Sequence, residues 1–98
     1  MSIARIGETQ AKPESIEELR KFWLSIMPGI KATKGCEFVT LYQSQEDPTR
    51  FTMIEIWDSV ESHKAAVMDI SPDDIAKVRT MLASAPSGSY FDVFESAD

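Results

Sequence analysis

Asp47-Pro48-Thr49-Arg50-Phe51-Thr52-Met53-Ile54-Glu55-Ile56-Trp57-Asp58-Ser59-Val60-Glu61-Ser62-His63 reads as a turn, a strand and a helix start joined with almost no spare residue. Asp-Pro-Thr-Arg has the turn chemistry that ends one strand and begins another, and Asp58-Ser59 supplies a capping oxygen at the head of a helix. Glu55 and Trp57 are two apart on a strand, so they project to one face together with Phe51 and Met53. His63, the only histidine of the chain, lies one turn into the helix and close to them. Glu55, Trp57 and His63 form a polar trio on an otherwise apolar framework and are the best site candidate.

Working upstream, Gln45 to Arg50 connects the strand Phe51–Trp57 to a preceding one, Cys36–Ser44, as a β-hairpin that starts after the breaker Lys34-Gly35. Before it, Ile16, Leu19, Phe22, Trp23, Ile26, Met27 and Ile30 recur at three- and four-residue steps against Glu17, Glu18, Arg20 and Lys21. This spacing predicts an amphipathic helix, interrupted or ended near Pro28-Gly29. Pro13 and Glu14 mark its first turn, and Ser15 with Glu18 matches a capping box. Ile3 to about Gln10 reads as the first strand.

Downstream, the helix from Ser59 carries Val60, His63 and Val67 on one face. Ser71-Pro72-Asp73-Asp74 starts another, with Ile75, Val78, Leu82 and Ala85 on its buried side. After Pro86-Ser87-Gly88 a last strand runs from Tyr90 to Phe94. The order β-α-β-β-α-β over residues 1–98 predicts one α+β domain of ferredoxin-like type, a four-stranded antiparallel sheet with helices on one face. Both faces of the sheet are apolar by alternation: Phe38 and Tyr42 against Val39 and Leu41, and Met53 and Trp57 against Ile54 and Ile56. Helices cover one face, so a second sheet is expected on the other, in a homodimer packed sheet to sheet.

At 98 residues the chain buries only about two-thirds of its unfolded surface, and self-association would add to that. A formal net charge of -6 with scattered Lys and Arg argues against nucleic acid and anionic membrane as partners. A lone Cys36 cannot form an internal disulfide, and no leader or membrane-spanning apolar run is seen, so the cytoplasm is the expected location. Cys36 has no evident basic partner and reads as a small strand residue.

A carboxylate among large apolar groups must be paired, solvated or neutral. Glu55 is therefore expected to accept from Trp57, His63, Arg5 or a ligand; simple satisfaction of the carboxylate is the commoner outcome for such a residue. Burial would depress the pKa of His63 and the Glu55 carboxylate would raise it. A neutral imidazole suits a general base for a phenolic or carbon-bound proton, although a core histidine held by one hydrogen bond is more usual. Trp57, Trp23, Phe22 and Phe38 are ordinary core types that together would frame a flat aromatic pocket between helix and sheet. No phosphate loop, nucleophile elbow, redox dithiol or clustered metal ligands occur, so no metal or other cofactor is expected.

Across nearly its whole length the chain resembles the antibiotic biosynthesis monooxygenase family of dimeric α+β barrels. The resemblance rests on the opening strand, the long helix reaching Pro28-Gly29, Gly35-Cys36 before the second strand, and Glu46-Asp47-Pro48 with Arg50-Phe51 in the hairpin turn. Its specific part is Ile54-Glu55-Ile56-Trp57-Asp58-Ser59 running to His63. The resemblance implies a dry pocket in which a phenol is deprotonated and its anion reduces O2 directly, without flavin or metal. By position it implies that Trp57 lines the pocket and that His63 stands where some members carry a tyrosine. Met53 stands where those members carry an asparagine, and Val67 where haem-degrading relatives carry an axial histidine.

The chain is thus expected to be a cofactor-independent monooxygenase acting on an aromatic or quinol-like molecule and O2. His63 is its expected proton acceptor, and Trp57, Glu55, Trp23, Phe22 and Phe38 its substrate-binding residues. Two alternatives stand beside this: a non-catalytic dimer that binds a small apolar metabolite, and an isomerase of the same barrel superfamily.

Overall fold

In the computed structural model, which describes residues 1–95 and 97, the period-2 segments pair into one antiparallel four-stranded sheet. Its strands are β1 (Ile3–Gln10), β2 (Cys36–Gln43), β3 (Arg50–Trp57) and β4 (Ser87–Asp92), in the order β2-β3-β1-β4. The helices are α1 (Ile16–Lys31), α2 (Val60–Met68) and α3 (Pro72–Arg79). This is the ferredoxin-like α+β fold anticipated from the order of elements. The Asp47 turn forms as its chemistry dictates: Thr49 donates to Asp47 Oδ1 from its backbone N–H (3.1 Å) and from its hydroxyl (2.6 Å), and these bonds hold the Asp47 carboxyl below its usual pKa.

The main core lies between α1 and the sheet, where Leu19 and Phe22 close over Phe51, with Ala11 and Met81 sealing one end. The register Arg5↔Glu55 and Arg5↔Tyr90 puts Arg5, Glu55 and Tyr90 on this same helix-covered face, in one row across three strands. Ile54, Ile56, Phe38, Tyr42 and Phe91 fall on the opposite face, where Phe38 is 57% exposed and Phe91 48%.

Four local expectations are corrected. The first helix runs through Pro28 to Lys31, because the Leu24 carbonyl that proline leaves without a donor belongs to a residue 53% exposed, with water at hand. Ser15 caps nothing with its side chain; it ends a 3-10 turn, Pro13–Ser15, at ψ 10 instead of the extended conformation a capping box requires. The last strand starts at Ser87 and ends at Asp92, because Gly88 pairs with Gly7 instead of making a turn. On α3 no residue is fully buried: Val78 and Leu82 are partly covered, Ala85 is exposed and Ile75 is 37% exposed. The helix itself ends at Arg79, so Leu82 and Ala85 lie beyond it.

Candidate active site

The loose seating of α3 leaves a cavity of about 480 Å³ between α1, the end of β3, α2 and α3. That lies within the range of small-molecule sites, about 300 to 1,000 Å³. Its walls are apolar: Trp23, Ile26 and Ile30 from α1, Val67 from α2, and Ile75 and Val78 from α3. Glu55, Trp57 and His63 line it from β3 and α2, and Asp69 and Asp74 add two further carboxyls.

Each of these three is placed by a local feature of the sequence. Glu55 and Trp57 share the inner face of β3, and the indole N–H of Trp57 donates to Glu55 Oε1 at 2.8 Å. Trp57 is 1% exposed, so this bond satisfies a buried donor. Ser59 caps α2 by accepting from the Ser62 backbone N–H, and the helix then delivers His63 inward, where it is 9% exposed. Gly35 permits this approach: it has φ +93, and a Cβ there would meet Ser62 at 2.7 Å and Asp58 at 2.8 Å.

The His63 ring stands edge-on to Trp57, with centroids 5.5 Å apart, and edge-on to Tyr90 at 5.4 Å. Its Nδ1 is hydrogen-bonded to the Tyr90 hydroxyl at 2.7 Å, and its Nε2 lies 3.9 Å from Glu55 Oε1. Burial pushes the Glu55 carboxyl above its usual range, against the opposing pull of the Trp57 hydrogen bond and the Arg5 charge. Burial, and then the Arg5 charge, pushes His63 below its usual 6.5. Burial thus works against charge on both groups, a carboxyl and an imidazole that face each other across 3.9 Å.

Of the residues expected at the site, Glu55, Trp57, His63, Trp23 and Phe22 all line this cavity. Phe38 does not. The hairpin register runs unbroken from Gln43↔Phe51 to Phe38↔Ile56, which puts Phe38 with Tyr42 on the outer face of the sheet, and a bulge follows only at Cys36. Tyr90 was not foreseen as part of the group, and Arg5 only as a partner of Glu55. Arg5 lies over the Tyr90 ring, its guanidinium carbon 4.7 Å from the centroid. Only the β4-β1-β3 register brings them together, and the sole signal in the sequence was their parity on strands. Among the described residues no group of three or more His, Cys, Asp or Glu is placed to hold a metal ion.

Comparison with known proteins adds a family and a fold. The sequence profile described as Antibiotic biosynthesis monooxygenase matches residues 2–85. No curated protein matches the chain. Among solved structures, a conserved protein from Methanosarcina mazei Go1 is similar with a TM-score of 0.84 at 22% identity, covering 94% of this chain and 92% of its own. The protein Rv0793 from Mycobacterium tuberculosis is similar with a TM-score of 0.80 at 19% identity, covering all of both chains (100% and 100%). One from Chloroflexus aurantiacus J-10-fl, named for the same family as the profile, has a TM-score of 0.74 at 26% identity, covering 99% of this chain and 98% of its own.

Proposed function

This chain belongs to the antibiotic biosynthesis monooxygenase family, and we propose that it is a cofactor-independent monooxygenase that oxidises a small aromatic or quinol-like molecule with O2 in the cavity beneath α2 and α3. The observation that carries this reading is the carboxyl–imidazole pair, Glu55 and His63 at 3.9 Å, set in the wall of a largely apolar cavity. Such a pair has the means to take a proton from a phenol or an activated CH2 group in a site with little water. The resulting anion passes an electron to O2, the two radicals join in a C–O bond, and the peroxide takes back the proton. Loss of water then leaves a carbonyl, so that one oxygen atom ends in the product and one in water, with no other reductant. Trp57, Trp23 and Phe22 hold the ring system flat against the sheet.

Charge narrows the substrate further. Glu55, Asp69 and Asp74 line the cavity and no Lys or Arg does, so an uncharged hydroxyarene is favoured over a carboxylated one by about tenfold or more. Oxygen uptake with naphthols, anthrols and their carboxylated analogues tests this. The reading requires turnover of uncharged members and loss of about 100-fold or more in His63→Ala; unchanged uptake in that variant removes His63 from the mechanism. Engagement of Nδ1 by Tyr90 and the presence of Met53 favour a second reading, a non-catalytic binding dimer. In that case apolar ligands raise the Tm and are recovered unconverted. In either reading the protein is a homodimer, joined through the outer sheet face that carries Phe38, Tyr42 and Phe91.

A further inference from the structure

We propose that Tyr90 is a positioning residue that locks His63 in its Nε2–H tautomer, leaving Glu55 as the group that takes the substrate proton and His63 as the donor that holds the resulting oxyanion. This rests on the proposed oxidation for its substrate but on geometry alone for its tautomer. The Tyr90 hydroxyl and His63 Nδ1 are 2.7 Å apart, and one of them must donate. A phenol is the stronger acid and imidazole nitrogen the stronger base, so the proton lies on oxygen and points at Nδ1. Arg5, its guanidinium carbon 4.7 Å from the Tyr90 ring centroid, packs over that ring and helps to fix its place beside His63. The neutral ring then carries its own hydrogen on Nε2. That nitrogen faces Glu55 Oε1 at 3.9 Å, and a carboxylate favours the N–H over the lone pair.

The gap itself indicates what is bound. At 3.9 Å the two atoms are too far apart for a hydrogen bond, yet an oxygen on the cavity side can sit about 2.8 Å from both. A hydroxyl there gives its proton to Glu55 and, as an oxyanion, accepts from Nε2–H. The titratable and charged groups facing His63 are Glu55 from β3, Tyr90 from β4 and Arg5 from β1, while Asp69 and Asp74 also line the cavity. Gly88 leaves room for the Arg5 guanidinium, since a Cβ there would lie 2.5 Å from Arg5 Nη2.

Because His63 is the only histidine, 15N-histidine labelling of untagged protein gives one pair of ring nitrogens to follow by NMR. Above the His63 transition the wild type is expected to show Nδ1 bare and Nε2 protonated, and Tyr90→Phe to shift toward a tautomer mixture with a changed titration midpoint. A protonated Nδ1 in the wild type, or an unchanged spectrum in Tyr90→Phe, overturns the proposal. If the wild type turns over a hydroxyarene, Tyr90→Phe should lower kcat about tenfold with KM kept. If no hydroxyarene is consumed, the oxidation fails while the spectrum still decides the tautomer.

Discussion

Glu55 gains its proposed role from a burial that costs stability. Its carboxyl, raised above the usual 4.5 mainly by desolvation, is protonated more readily in the folded chain than in the unfolded one. Glu55 therefore weakens the fold as pH rises through its raised folded pKa. Glu55→Gln, which keeps an acceptor for the Trp57 N–H, should raise the Tm at pH 7 by a few degrees and abolish oxygen uptake; a lower Tm contradicts this account. His63 has the opposite sign. Its folded pKa lies below 6.5, so the unfolded chain takes up a proton first and stability falls as pH drops from about 6.5. Thermal melts between pH 7 and 5 should show the wild type losing more Tm than His63→Gln. Glu55, Trp57 and His63 were legible because short-range spacing on one strand and one helix turn fixes where they point. Phe38 falls on the outer face because the hairpin register pairs it with Ile56, and the residues of the turn do not by themselves fix that pairing.

Among the elements, α2 is the one whose seating decides the site. It is tied to the sheet by the Asp58 N–H donating to the Gly35 carbonyl at 2.8 Å, and by the empty space where Gly35 lacks a Cβ. Gly35→Ala combines positive φ with contacts of 2.7 to 2.8 Å and should cost about 2 kcal/mol or more, measured by chemical denaturation, with activity falling by a larger factor than stability alone explains. A cost below about 0.5 kcal/mol would show that α2 adapts freely. The limits of β1 and the caps of α2 and α3 could be read in advance, because alternation, Ser59 and Ser71-Pro72 act locally. The seating of α3 could not. Its apolar residues match a buried stripe in sequence, but only packing shows that Ile75 and Val78 line a cavity, with Val78 also resting against the core.

At the scale of the whole molecule, the cavity and the outer face of the sheet are apolar surfaces left unfilled among the described residues. The outer face, with Phe38 57%, Tyr42 52% and Phe91 48% exposed, is the one proposed for dimerisation. Sedimentation equilibrium should find a dimer at micromolar concentration and a monomer for Phe38→Glu; a monomeric wild type contradicts that. The cavity carries the central claim, that an acid–base pair inside it prepares a hydroxyarene for reaction with O2. The most direct measurement follows oxygen uptake and product together in the wild type, His63→Ala and Glu55→Gln with an uncharged anthrol or naphthol. The account predicts one O2 consumed per product formed in the wild type and losses of about 100-fold or more in both variants. Uptake equal in all three proteins, or no uptake by a wild type that the same compound stabilises, would contradict it.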